Sequence, residues 1–410
     1  MNDDLRVQYE IYPYPPRDPE EEANRLITGS PSHIAEIEHH IFAGTRPAAD
    51  TLNILVAGGG TGDATVMLAQ QHASAGISVD IVHLDISEAS SAIAKARIDA
   101  RGLDNVRFVQ GPIESLPDLG LGPFDYIDCC GVLHHLADPG AGLRILRNAL
   151  ALRGGMGIMV YAPLGRNGVY HAQAMLNMIA GNAPDDQRIA TAKQLLSNLP
   201  ATNWLKRNPH VGDHTSLGDA GIYDLLLHRR DRAYSVPELV GLLQQGGMRP
   251  VNFTDPARYE PSIYLADRDL IEKCRSMNWL QRCAFAELLA GNMKTHILYA
   301  VRDDNGNNTL AVPDTPDAIP VMRDDDGLTL AAQVKPGMSL NIDFEGVRVS
   351  LPLPERAGDI LALIDGEHPL SAIHAQMENA PDWENFKRDF DQLYGSFYGL
   401  SRMFIRKPPG

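Results

Sequence analysis

From Thr51 onward the chain alternates short apolar runs with longer stretches of mixed polarity. Residues 53–57 form a compact apolar run that closes on glycines. Residues 78–84 form a second, ending at Asp85; residues 105–110 a third, Phe124–Cys130 a fourth and residues 157–162 a fifth. Runs of this length, bounded by turn residues, are predicted strands buried on both faces. Between them the spacing predicts helices over residues 63–75, over 87–100 with Ser87 as N-cap and Gly102 as the stop, and over 139–152, closed by Gly154 and Gly155. Strands alternating with helices pair in parallel through right-handed crossovers. The expected class is therefore α/β, a Rossmann-like doubly wound sheet. Ser235 and Glu238 form a capping box, so residues 237–245 are a further predicted helix, stopped by Gly246 and Gly247. Residues 250–254 and Thr295–Arg302 read as two more strands, the second expected to close the sheet edge.

Three regions break this rhythm. Residues 1–50 form an N-terminal arm, in which prolines predict an extended segment from Tyr12 to Pro19. Within it, Glu20–Glu22 favour a helix start, Ile34, Ile37 and Ile41 make a helical stripe, and His39 and His40 read as a solvated helix face. Residues 165–232, rich in His, Asn and Arg with a helical stretch near 185–197, read as an insertion above the sheet. Residues 303–327 are polar, acidic and Pro-containing, the signature of a linker. A small C-terminal α+β unit follows at 328–410. Its strands 339–344 and 347–351 turn at Glu345 and Gly346, and helices are predicted over 357–364, 370–377 and Trp383–Tyr398. The second unit's 360–373 stretch has a short helix–turn–helix, winged-helix-like pattern, here expected to contact protein. The domains are thus 1–50, 51–302 carrying the 165–232 insertion, 303–327 and 328–410.

Composition narrows the function. A chain of 410 residues with a net charge of −16 repels phosphate backbones, so no nucleic-acid partner is expected. Four cysteines without C-x-x-C spacing suggest reduced thiols in a cytoplasmic protein, with no metal site. The charged start MNDDLRVQYE is unlike a signal peptide, and no run reaches the ~20 apolar residues that span a bilayer.

The chemistry-bearing residues lie at the carboxyl ends of the predicted strands, where open α/β sheets bind ligands. Gly58, Gly59, Gly60, Thr61 and Gly62 make a glycine loop between strand one and helix one, which lets backbone approach a ligand. Asp63 stands where a dinucleotide fingerprint needs glycine, so the loop suits a nucleoside bearing an amino acid. Asp85 ends strand two, where a carboxylate can accept both ribose hydroxyls. Gly111-Pro112-Ile113-Glu114 follows strand three, and Cys130-Gly131-Val132-Leu133-His134-His135 ends strand four.

Taken in order, ILVAGGGTGDAT, VHLD, VQGPIESLP, FDYIDCCGVLHHLADP and LRGGMGIMVYAP resemble the class I S-adenosylmethionine-dependent methyltransferases. The resemblance implies S-adenosylmethionine as cofactor, with the glycines beside its methionine and ribose. It places Asp85 on the ribose hydroxyls, Ile86 on the adenine, Ile113 and Glu114 at the adenine edge, and Cys130 and Gly131 on the methionyl side. Val56 and Pro112 stand where the family usually carries acidic residues. His134 and His135 are the candidates for contacting the acceptor, or they cap the sheet end. Tyr9 and Tyr14, with Tyr12, either fold over the cofactor or pack on the surface.

Nucleobase amino methyltransferases usually carry an Asn/Asp/Ser-Pro-Pro-aromatic motif after strand four; this chain reads CCGVLHHL there. The expected acceptor is a protein or peptide side chain or a small molecule, methylated by in-line transfer, with neither nucleic acid nor membrane as partner and homo-oligomerisation left open. The alternative is a non-catalytic cofactor-binding scaffold that organises a partner complex.

Overall fold

The computed structural model describes residues 3–45, 51–228 and 230–408; the end of the arm, 46–50, lies outside the described residues. Seven strands form one mixed sheet: β1 (Leu52–Ala57), β2 (Val79–Asp85), β3 (Val106–Gln110), β4 (Phe124–Cys130), β5 (Leu150–Tyr161), β6 (Met248–Phe253) and β7 (Thr295–Arg302). Their order is β3-β2-β1-β4-β5-β7-β6. The first five are parallel, β7 runs antiparallel to β5, and β6 antiparallel to β7. This is a Rossmann-like doubly wound sheet, as expected, with an antiparallel pair of strands at one side. Thr295–Arg302 is therefore an inner strand, and Met248–Phe253 takes the edge. The long connection before β7 lets it insert between two earlier strands, an order that strand periodicity does not encode.

The period-two alternation of β1 sorts its residues between two cores. Ile54 and Val56 face the helices Ile34–Ile41, Asp63–Ser74 and Glu88–Ala100, packing with Val66, Leu68 and Ile98. Leu55 and Ala57 face the helices Pro139–Ala149, Val236–Gln245 and Trp279–Ala290, with Leu143, Leu239 and Cys283. Ser235 and Glu238 form the expected capping box. The helix expected over 139–152 ends at Ala149, and Gly154 and Gly155 lie inside β5 instead of closing it. Their backbone is pressed against neighbours: a Cβ on Gly154 would sit 2.8 Å from the Phe124 carbonyl oxygen. Close backbone approach, not helix termination, requires glycine there.

The arm is more structured than its prolines suggest. It opens with a helix, Asp3–Ile11, and a 3₁₀ turn follows at Pro19–Ala23. Arg97, 1 % exposed, then ties the arm to the sheet domain, donating to Glu22 at 2.6 Å and to Asp63 and the Thr61 carbonyl. His39 and His40 are buried, not solvated. His39 Nδ1 accepts from the Ile405 amide at 3.0 Å, and the His40 ring stacks on Tyr299 at 4.5 Å. Their helix is covered on one side by the sheet and on the other by a strand from the far end of the chain.

That strand, β11 (Met403–Arg406), pairs antiparallel with β8 (Ile319–Met322). The last part of the expected linker is thus a strand of the C-terminal unit. The hairpin of β9 (Ser339–Phe344) and β10 (Val347–Pro352) forms as expected, and the helices Ala357–Leu361, Leu370–Gln376 and Trp383–Tyr398 enclose a separate core around Phe386 and Phe390. The insertion folds into helices, chiefly Val169–Ala180 and Asp185–Asn198, with its own core around Leu176 and Leu226. All four cysteines are free thiols. Among the described residues no helix is long and apolar enough to cross a membrane.

Candidate active site

A cavity of about 480 Å³ opens over the carboxyl ends of β1, β2 and β4. Its floor is the glycine loop. Gly58, Gly60 and Gly62 have φ of 72°, 52° and 99°, left-handed values that favour glycine. Space forbids side chains as well: a Cβ on Gly58 would lie 2.4 Å from Val132, and one on Gly62 would lie 2.7 Å from Ala94. The Thr61 hydroxyl donates to the Pro15 carbonyl at 2.8 Å, which ties the arm to the loop.

Asp85 sits beside this floor, 8 % exposed. Its Oδ2 accepts from the Gly60 amide and its Oδ1 from the Ser87 amide, both at 2.8 Å. Ser87 in turn caps the following helix through Ser90. Burial raises the Asp85 carboxyl, and these amide donors oppose the rise. The carboxylate is thus fixed in one orientation with lone pairs to spare. Asp63, at the start of the next helix, also lines the cavity. Burial would raise it, but Arg17 at 2.6 Å and Arg97 at 2.7 Å prevail and hold it below the usual carboxylate range.

The structure brings together Tyr9, Tyr14, Gly58, Gly59, Gly60, Thr61, Gly62, Asp85, Ile86, Ile113, Glu114, Cys130, Gly131 and His135, which all line this cavity. Cys130 remains a thiol, since burial raises it well above its ordinary value. Tyr12 turns away and stacks on Tyr223 at 5.2 Å. His134 does not line the cavity; it packs behind the wall, 4.1 Å from the ring of Tyr161.

Among the lining residues that sequence reasoning missed are Ser32, Asp128, Tyr161 and Asp224. Asp128 carried a signal, a lone acid inside the apolar run FDYIDCC. Asp224 carried none, because it sits on a single π-helical turn, Tyr223–Leu227, in the insertion. Such turns are frequent at functional sites. Asp224 is 5 % exposed and its carboxyl is pushed up to about 7 by burial and then by Asp231. Its hydrogen-bond donor is the Tyr161 hydroxyl at 3.4 Å.

His135 and His228 stack on each other beside Asp224, with ring centroids 3.8 Å apart. The donor and acceptor atoms of the three side chains lie within 4.8 Å of one another. The His135 Nδ1 must donate to the Arg230 carbonyl at 2.6 Å, which leaves a lone pair on Nε2. The His228 Nδ1 accepts from the Arg230 amide at 3.1 Å, so its proton sits on Nε2, directed at the Tyr9 oxygen 3.2 Å away. Burial lowers both imidazoles and keeps them neutral. A metal on His228 Nε2 would require its proton to move to Nδ1, where the Arg230 amide already donates.

The donor set fits S-adenosylmethionine. Asp85 suits a ribose diol, Ile86 and Ile113 offer apolar surface for a purine, and the loop admits close approach. The lining residues include five carboxylates and neither lysine nor arginine, as suits a ligand carrying a sulfonium and an ammonium.

Comparisons with known proteins agree. Residues 55–156 match the model of a methyltransferase domain. The chain is 31% identical over 293 residues to the uncharacterized protein syc1184_c of a Synechococcus strain, covering 68% of this chain and 67% of that one. Its fold is similar to that of PKMT2 from Rickettsia typhi, with a TM-score of 0.62 at 14% identity over 93% of this chain and 77% of that one. The same protein in complex with AdoHcy gives 0.62 at 15% identity, over 92% and 76% of the two chains. The chain belongs to the class I S-adenosylmethionine-dependent methyltransferases. It is an enzyme of that class, with S-adenosylmethionine as its cofactor.

Proposed function

We propose that the methyl acceptor enters where Tyr9, Tyr14, Tyr161, His135 and Asp224 converge, and that it is an amine, carried by a protein or peptide side chain or by a small molecule. The observation that carries this reading is Asp224, a buried carboxylate facing the cavity, whose hydrogen-bond donor is one long hydroxyl contact. A cationic ammonium would satisfy it, and aromatic faces around it favour the same charge. The absence of lysine and arginine among the lining residues disfavours a phosphate-bearing acceptor.

The cofactor supplies an activated methyl group. The protein orients the acceptor, excludes water and takes a proton. An ammonium has no lone pair, so it must first be deprotonated. Asp224 has its carboxyl raised to about 7, and His135 Nε2 lies within the same cluster. Asp224 can receive that proton near neutral pH, and the His135 Nε2 lone pair can accept a hydrogen bond from the amine. The remaining cofactor-facing residues take the roles implied by their places: Gly58, Gly60 and Gly62 under the methionine and ribose, Glu114 at the adenine edge, Cys130 and Gly131 on the methionyl side.

The test is a methyl-transfer assay with labelled cofactor on three acceptor panels: lysine-containing peptides, small alkylamines, and hydroxyl, thiol or carboxyl compounds. Transfer to an amine panel is the expected result, with Asp224→Asn reducing it roughly 100-fold or more. Transfer confined to the third panel would overturn the amine reading. The two amine panels separate macromolecular from small acceptors.

A further inference from the structure

Strand β4 carries a carboxylate where a doubly covered strand ordinarily carries an apolar side chain. Asp128 is 1 % exposed and lines the cavity. It accepts a hydrogen bond from the Ser32 hydroxyl at 2.7 Å. No ion pair to it is found among the described residues. Burial drives its carboxyl up to about 6, against the pull of Ser32. A buried carboxylate with one donor is costly to keep charged unless a cation arrives. No lysine or arginine lines the cavity to provide it, so the cation must come with a ligand.

Topology says which part of the ligand. In the sheet order β3-β2-β1-β4, Asp85 ends β2, the glycine loop leaves β1, and Asp128 lies on β4. With the ribose held at Asp85 and the loop beneath, an elongated adenosyl amino acid extends from β2 across β1 toward β4. In the parallel register Asp128 stands directly beside Val56, on the face that also holds Tyr126. Its donor Ser32 belongs to the arm, whose residues 27–30 form the adjoining cavity wall.

We propose that Asp128 is the counter-ion of the cofactor's α-ammonium, so that β4 supplies a carboxylate that β1, with Val56, does not. Ser32 orients that carboxylate and thereby couples the arm's position to occupation of the amino-acid end of the cavity. Asp128 is distinct in role from Asp224, which belongs to the acceptor end, and the assignment is independent of what the acceptor is.

Calorimetry on the full chain tests it with two ligands, S-adenosylhomocysteine and 5′-methylthioadenosine, which lacks the amino-acid group. Asp128→Asn is expected to weaken the first about 10- to 100-fold and to leave the second within about twofold. Asp128→Ser gives the same discrimination if asparagine is not tolerated, with thermal unfolding as the check on folding. An equal loss for both ligands would make Asp128 merely structural, and no loss for either would leave it without a cofactor role; both results overturn the proposal. A wild-type chain that binds neither ligand would overturn it together with the cofactor assignment.

Discussion

Asp85 holds the loop and faces the cavity with the same two oxygens. Its replacement by alanine removes the anchors of the Gly60 and Ser87 amides together with any diol contact. Asp85→Ala is expected to lower S-adenosylhomocysteine affinity by roughly 100-fold or more in calorimetry, each charged hydrogen bond being worth about 1.5–3 kcal/mol. Unchanged affinity would mean the ribose lies elsewhere. Gly62→Ala places a Cβ against Ala94 at a φ of 99° and is expected to destabilise the fold by about 1–3 kcal/mol in denaturant unfolding. Asp224 gives a pH signature. Its carboxyl is raised from 3.8 to about 7 in the fold, so its contribution to stability is greatest below the unfolded value and is lost as pH rises through 7. Asp224→Asn should therefore raise stability at pH 8, by on the order of 2 kcal/mol, and change little at pH 4. The opposite pattern in thermal melts would mean that Asp224 is already paired. At this scale the glycines and Asp85 were legible because their spacing within and after strands is a local property. Asp224 was not, because only the folding of the insertion brings it to the cavity.

At the scale of elements, one buried arginine gathers several of the arm's ties to the sheet domain. Arg97 bridges Glu22, Asp63 and the Thr61 carbonyl, and Arg101 adds a second contact to Glu22 at 2.6 Å. Removing one partner of a buried ion pair strands the other, at a cost of about 3–5 kcal/mol. Arg97→Ala should lower stability by that order and expose the 12–30 segment to limited proteolysis; a variant as resistant as wild type would show that the arm's other contacts hold it without Arg97. The strands and helices of the sheet domain were legible from their periods of two and 3.6. The misread elements share one cause. Gly154 and Gly155 punctuate a chain in sequence, yet here they serve close packing, Gly154 against β4 and Gly155 against Ile41 and β7. Thr295–Arg302 has strand periodicity wherever it sits, so its inner place follows from its partners.

The whole molecule is sensitive to acid through its histidines. Burial lowers His33 and His39 to about 3 and His83 to about 4, and lowers His40, His134, His135 and His228 as well. A histidine whose folded value is depressed contributes its stability above the unfolded value, near 6.5, and loses it as pH falls toward the folded value. The melting temperature should fall steadily from about pH 6.5 to pH 4, with His39→Phe reducing the slope. His39 and His40 lie where the Ile34–Ile41 helix meets the sheet and β11, so their protonation would weaken that contact. Arg323 and Arg406 reinforce that contact through Glu36 and Glu38, at 3.0 and 3.1 Å. A flat stability profile over this range would show that these imidazoles are not buried in solution.

The amino-acid sequence by itself determined the alternating elements, the glycine loop, Asp85 and the class of cofactor, since each depends on residues near one another in the chain. Only the tertiary structure decided the order of β6 and β7, the burial of His39 and His40, and the meeting of Tyr9, His135, Asp224 and His228. Those features join residues far apart in the chain, and their partners are chosen by packing, which no local pattern records.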